Sequence, residues 1–227
     1  GDTISRRALA TMSAEPFEKE TNVTAIIVPT ELEGLLYALQ FATNSENVNR
    51  KRSPWLNRLE TQVADEKLTV WDDGRYAGGM LSALADDEGV ETSNKMIIGR
   101  GKLQSYIYDS YNENISGVKT TGNGFRRGTR SIEGAFSSPT SCSYANMVIQ
   151  QGNKDLNTIA SEIDNGVLVE ALATSEVNPV TGGFGCEVRD ATLIENGALT
   201  KHVKHALLIG NIYEALRNVL DISDRTK

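Results

Sequence analysis

The sequence predicts an α+β fold: a largely antiparallel or mixed β-sheet core with hairpins and a few packed helices. Short β-rich runs outnumber helical ones, and the clearest turn signals join such runs in pairs, as hairpins do. Length and composition set the scale. At 227 residues and 39% hydrophobic content, the chain suffices for one large domain or two small ones sharing a core. Aromatics make up only 6%, so aliphatic residues and alanine must build most of that core.

In chain order, residues 3–15 read as an amphipathic helix, with Ile4, Ala8, Leu9 and Met12 at helical spacing and Pro16 ending it. Residues 23–28 are β-rich and apolar on both faces, the pattern of a buried strand. Pro29 and Thr30 open a helix, with Thr30 as N-cap and Glu33 three residues on. Leu32, Leu35, Leu36, Leu39 and Ala42 give it one apolar face. Residues 43–66 are polar, and 44–54 read as a mobile loop. Residues 68–71 form a short strand that Asp72, Asp73 and Gly74 stop.

Two hairpins follow from the turn chemistry. Runs 95–98 and 103–108 flank Gly99-Arg100-Gly101, and runs 191–194 and 198–200 flank Glu195-Asn196-Gly197, where Asn-Gly favours a type I′ turn. Both share the pattern Ile-x-x-Gly-x-Leu, at Ile98, Gly101, Leu103 and at Ile194, Gly197, Leu199. An internal duplication, or two hairpins with similar turn needs, would equally produce it. Between and after them come a short helix at 109–115, a glycine-rich stretch at 120–130, a strand at 145–149 and a helix at 155–163 closed by Asn165-Gly166. Strands at 167–169 and 207–209 precede a terminal helix with Ile212, Leu216, Val219 and Leu220 on one face.

A net charge of −7 argues against direct nucleic-acid binding, which needs clustered Lys and Arg. The basic clusters Arg50-Lys51-Arg52 and Arg126-Arg127 with Arg130 read as solvated loop charge. With no run of eighteen apolar residues and no signal-peptide core near the start, no membrane span and a cytoplasmic location are the expectation. Cys142 and Cys186 then read as reduced thiols.

Candidate chemistry is sparse. His202 and His205 follow a strand-like segment, and no helical histidine pair exists. Cys186, His202 and His205 are the available three-ligand metal set; the alternative is an exposed pair of histidines among Lys201 and Lys204. Cys186 sits in a glycine-rich, flexible stretch and is the candidate nucleophile, provided a histidine lowers its pKa. Its plainer role is that of a small buried residue. Gly122-Asn123-Gly124-Phe125-Arg126-Arg127-Gly128 lacks dinucleotide-loop spacing. It suits gripping a carboxylate or peptide backbone, or linking two halves of the sheet. Asp86, Asp87 and Glu88 read as solvated charge with no catalytic role.

Several segments resemble the TldD/PmbA family, also named for modulation of DNA gyrase. They are residues 24–31, Asp86-Asp87-Glu88-Gly89-Val90, Ser116-Gly117-Val118 with Thr120-Thr121-Gly122-Asn123, and Val177-Asn178-Pro179-Val180-Thr181-Gly182. Leu193-Ile194-Glu195-Asn196-Gly197, Val203-Lys204 and Leu208-Ile209-Gly210-Asn211 complete the series in the family's order. The resemblance implies a C-terminal domain over 21–227, with 1–20 a linker or the tail of a preceding N-terminal domain. Its TldD branch consists of metallopeptidases that cut unfolded peptides beside a PmbA/TldE-type partner. That branch carries His-Glu-x-x-x-His on the helix after the first strand. Here that helix reads Glu31-Leu32-Glu33-Gly34-Leu35-Leu36-Tyr37-Ala38-Leu39-Gln40, without histidine. The resemblance therefore implies a non-catalytic, peptide-binding subunit with no cofactor of its own. Zinc would sit in a TldD-like partner, and a homo-oligomer is the other arrangement. Asn123, Arg126, Arg127, Asn178 and Gly182 are the implied peptide-binding residues. A stand-alone peptidase using Cys186 and an interaction protein modulating DNA gyrase are the competing readings.

Overall fold

The computed structural model describes Met12 and residues 14–17, 22–127, 132–173 and 176–224. Most of the helix expected over 3–15, and Arg130, lie outside the described residues. Glu15 and Pro16 form a short strand, β1 (Glu15–Pro16), rather than a helix end.

The larger sheet has six strands: β1, β2 (Thr24–Ile27), β9 (Asn165–Leu172), β10 (Gly183–Glu195), β11 (Ala198–Lys204) and β12 (Ala206–Asn211). Its order is β1-β11-β10-β9-β2, with β12 beside β10 as well. The thirteen-residue β10 is the spine. One of its sides meets β9; the other meets β12 along Gly183–Val188 and β11 along Ala191–Glu195. β11 and β12 are thus nearly one strand, broken at His205. Its φ of 56° and its N–H bond of 3.0 Å to the Val188 carbonyl form a bulge. The 182–186 stretch expected to be flexible is mostly the start of β10. Parallel β2 lies at the sheet edge and is only half-buried, so its continuous apolar run reflects one-sided rather than two-sided cover.

The smaller sheet is antiparallel and runs β5-β4-β3-β8, with β3 (Val70–Asp73), β4 (Asn94–Gly99), β5 (Lys102–Leu103) and β8 (Met147–Ile149). Asp72 and Asp73 belong to β3 instead of stopping it. A two-stranded ribbon pairs β6 (Gly124–Phe125) with β7 (Ser141–Cys142). Both expected hairpins are present and share one turn geometry. Arg100 and Gly101 have φ of 49° and 76°, Asn196 and Gly197 of 52° and 77°, the two left-handed residues of a type I′ turn. Ile98 pairs with Leu103 as Ile194 pairs with Leu199.

Helix α1 (Pro29–Thr43) is buried along Leu35, Ala38, Leu39 and Ala42. These residues join Val70, Ile97 and Ile98 of the small sheet and Val169, Val188 and Ala191 of the large one in a single apolar core. Each fully buried Leu contributes about 1.5–3 kcal/mol. The cap differs from expectation: the helix already begins at Pro29, so Val28 is the N-cap, and its aliphatic side chain has no acceptor to offer the first turn. Residues 44–54 are a correction of another kind. They hold helix α2 (Ser45–Asn49) and bury Ser45, Asn47, Ser53 and the neighbouring Trp55. Their polar side chains are spent on backbone: Ser53 Oγ donates to the Ala42 carbonyl at 2.5 Å, and Asn47 Nδ2 to the Phe41 carbonyl at 3.0 Å. The remaining helices are α3 (Ser110–Ser116), α4 (Ile132–Ser137), α5 (Leu156–Ser161) and α6 (Ile212–Arg217). Val219 and Leu220 fall beyond α6.

Candidate functional site

The five residues implied in peptide binding fall into two loops. Asn123, Arg126 and Arg127 lie on or beside β6. Asn178 and Gly182 bracket the turn that leads into β10.

The first loop is braced from below by a buried carboxylate. Asp72 is fully buried and accepts from the backbone N–H of Ala145 at 2.7 Å and of Asn146 at 3.1 Å. Asn123, also fully buried, donates to it at 2.6 Å, and Lys95 Nζ lies 3.3 Å away. Asn123 Nδ2 further donates to the Ser143 carbonyl, and Thr121 Oγ1 donates to Asn123 Oδ1. The Asn123 amide thus ties β3, β7's exit and its own loop together, with no face turned outward. Gly122 has φ 69°, and a Cβ there would stand 2.5 Å from the Glu91 carbonyl oxygen. The Arg127 guanidinium lies 3.9 Å from the Phe125 ring centre and donates to the Tyr144 carbonyl. Burial pulls its pKa down, while Asp72 and Asp87 act the other way. Arg126 Nη1 donates to the Phe136 carbonyl at 2.9 Å in an exposed setting. Glu88, expected to be merely solvated, is a further brace: it accepts from Ser110 N–H at 2.8 Å and Thr140 Oγ1 at 2.9 Å. Burial alone would raise its pKa; those bonds outweigh it and hold the carboxyl below its ordinary value.

The second loop is built by its own side chains. Asn178 Oδ1 accepts from Val180 and Thr181 N–H, both at 3.0 Å, and Gly182 N–H donates to the Asn178 carbonyl at 2.7 Å. Gly182 has φ 81°, and a Cβ there would strike Asn211 and Tyr213. Asn211 Nδ2 donates to the Thr181 carbonyl while its Oδ1 caps α6. The Tyr213 hydroxyl donates to the Pro179 carbonyl at 2.5 Å. Beside this loop runs a shallow groove of about 650 Å³, lined by Glu176, Val177, Asn178, Gly185 and Ile209 among others.

The candidate nucleophile and ligands stay apart. Cys186 is fully buried in the core, and burial pushes its thiol pKa up, with Glu176 N–H opposing. A neutral thiol is a poor nucleophile. His202 Nδ1 lies 3.1 Å from Thr192 Oγ1, and His205 Nδ1 3.4 Å from Glu187 Oε1. Among the described residues, no three His, Cys, Asp or Glu side chains come together as a metal site. Nor is any described helix long and apolar enough to cross a membrane. Sequence reasoning missed Asp72, read as a strand stop, and Tyr213; in Asp72's case the signal was the acid directly after an apolar run.

Residues 20–227 match the model of the PmbA/TldA metallopeptidase C-terminal domain. The chain belongs to this family. It is 30% identical over 98% of its length to an uncharacterized protein of Methanocaldococcus jannaschii, covering 51% of that protein. It is 29% identical over 79% of its length to a metalloprotease TldD homolog of Haemophilus influenzae, covering 36% of it. The crystal structure of TldE from Thermococcus kodakarensis superposes with a TM-score of 0.86 at 28% identity, over 99% of this chain and 49% of that one. The chain thus spans about half the length, or less, of these relatives.

Proposed function

We propose that this chain is the peptide-binding, non-catalytic part of a TldD-type metallopeptidase assembly, of the PmbA/TldE kind. The observation that supports this best is α1. It occupies the place where the resemblance puts His-Glu-x-x-x-His, and there it presents aliphatic side chains to the core and carries no histidine. A zinc of TldD type does not fit these residues: Cys186 is buried and neutral, and His202 and His205 are held by Thr192 and Glu187. The chemistry then belongs to a metal-bearing partner subunit. This chain would supply an extended substrate with backbone partners at a sheet edge. The open 178–182 groove and the exposed Arg126 are its contact points, in a cytoplasmic setting.

The test is metal content and activity together. Mass spectrometry of the purified chain, dialysed without chelator, is expected to find no stoichiometric transition metal. Mixing it with a zinc-loaded TldD-type subunit is expected to raise cleavage of an unfolded peptide above that of either alone. About one zinc or iron per chain, or cleavage by this chain alone that a chelator abolishes, would overturn the reading.

A further inference from the structure

The small sheet meets the core by one face. Val70 pairs with Ile98 and Ile149 and turns inward with them: Val70 and Ile98 are fully buried, and Ile149 packs against the core. Successive side chains of a strand point to opposite faces, and cross-strand partners share a face. Trp71, next to Val70, therefore turns outward with its partners, Met96 on β4 and Val148 on β8. Among the described residues, none of these three belongs to the apolar core. Met96 is 44% exposed, and Trp71 and Val148 are half-buried. The outer face thus presents a tryptophan flanked by two apolar side chains.

This face runs into a cavity. The ladder continues one residue beyond β3, with Gln150 N–H donating to the Thr69 carbonyl at 2.9 Å. There a cavity of about 450 Å³ opens, lined by Lys67, Thr69, Arg100, Gln150, Asn153 and Asp221 among others. That is the size of an ordinary small-molecule site. Backbone bonds fix its walls. Gly101 N–H donates to the Leu68 carbonyl at 2.8 Å, and Asp224 N–H to the Lys154 carbonyl at 2.9 Å. Gly152 lies so close to the C-terminal segment that a Cβ there would stand 1.8 Å from the Ile222 carbonyl oxygen.

Two features of the lining select the ligand. The charges on the wall are already paired: Lys154 with Glu162 at 2.7 Å and Asp221 at 2.9 Å, Arg100 with Glu66 at 3.4 Å, and Lys67 with Asp65 at 3.5 Å. A charged ligand would have to displace one of these partners or go without its own. The side-chain amides of Gln150, Gln151 and Asn153, by contrast, make no hydrogen bond with the described residues. Each offers two donors and an acceptor without charge. A hydroxyl group, itself donor and acceptor, matches that offer. The apolar C–H face of a sugar ring matches the flat ring of Trp71.

We infer that this face binds a neutral oligosaccharide. One sugar ring lies against Trp71, between Met96 and Val148. The next enters the cavity, with its hydroxyls on Gln150, Gln151 and Asn153. The inference does not rest on the peptide-binding reading, because the 178–182 groove belongs to the large sheet.

The chain's two tryptophans make the test direct. Trp55 is 2% exposed, so a change in emission on ligand addition reports on Trp71. The purified chain is screened on a printed array of neutral oligosaccharides, with hexuronate and sugar-phosphate oligomers as charged counterparts. Each hit is then titrated free in solution against tryptophan emission. At least one neutral hit that changes the emission is expected. Trp71→Ala is expected to weaken binding on the array about tenfold or more, and Gln150→Ala about threefold, with circular dichroism unchanged. Should Trp71→Ala disturb the fold, the exposed pair Gln150→Ala/Asn153→Ala carries the test, with a loss of about tenfold expected. An array without a neutral hit overturns the inference. So do hits that bind these variants as tightly as the parent chain. Charged oligomers that bind more tightly than neutral ones overturn the choice of ligand.

Discussion

The 122–127 and 178–182 loops each combine an asparagine with glycine, Asn123 between Gly122 and Gly124 and Asn178 four residues before Gly182, and the fold uses them in opposite ways. Asn123 is a buried cross-link: its amide joins Asp72, Ser143 and Thr121, from three separate segments. Asn178 is exposed, and its side chain accepts within its own turn, from the residues two and three further on. The first loop is therefore a structural hub, and the second is a rigid rim beside an open groove. Glycine-rich segments that look like ligand loops have to be sorted by where the asparagine's bonds end. By that measure Asn123 is closed off inside the fold, while Asn178 borders the open groove.

The largest effect should separate these two roles. Asp72→Ala removes the acceptor for Asn123 and two backbone N–H groups, and leaves Lys95, whose side chain is 12% exposed, facing an empty place. It should cost about 3–5 kcal/mol, as breaking buried charge pairs does. Asn178→Ala loses only a local turn and should cost about 1 kcal/mol. Urea unfolding of both variants measures the contrast. Equal losses would mean that the 178–182 turn is as central as the buried network.

The hairpins were legible because their chemistry is local: Asn196-Gly197 specifies a type I′ turn whatever surrounds it. The face of α1 was legible from periodicity for the same reason. What stayed hidden depends on distant partners. Ser45, Asn47 and Ser53 read as loop residues because nothing nearby shows that they satisfy backbone groups in the core. Asp72 read as a stop because the donors that let a carboxylate enter a strand come from residues 95, 123, 145 and 146. Of the implied site, neither the turn that joins Asn178 to Gly182 nor the burial of Asn123 was read from the sequence, since both rest on bonds that close only in the fold.

A smaller effect sharpens the account of the first loop. Glu88 has a folded pKa below its ordinary 4.5, since its bonds to Ser110 and Thr140 outweigh burial. A depressed carboxyl stabilises the fold above its unfolded pKa, and that stability fades as pH falls through the folded value. The wild type should therefore lose stability below about pH 4.5 more steeply than Glu88→Gln. Urea midpoints measured between neutral and acid pH test this. Parallel curves would show that Glu88 does not brace the loop in its charged form.

The smallest expected effect bears on the rim. Gly182 is required, because its φ is 81° and a Cβ would collide with Asn211 and Tyr213. Gly185, three residues on, has neither constraint: its φ is ordinary for a strand, and a Cβ there meets nothing within 4 Å. A strand glycine without a local need costs stability through backbone entropy. Gly185→Ala should raise stability by about 0.5 kcal/mol, read as a shift in the urea midpoint. A loss of stability instead would mean that the space over Gly185 is already filled by the chain itself. The groove at the 178–182 rim would then be closed to a peptide.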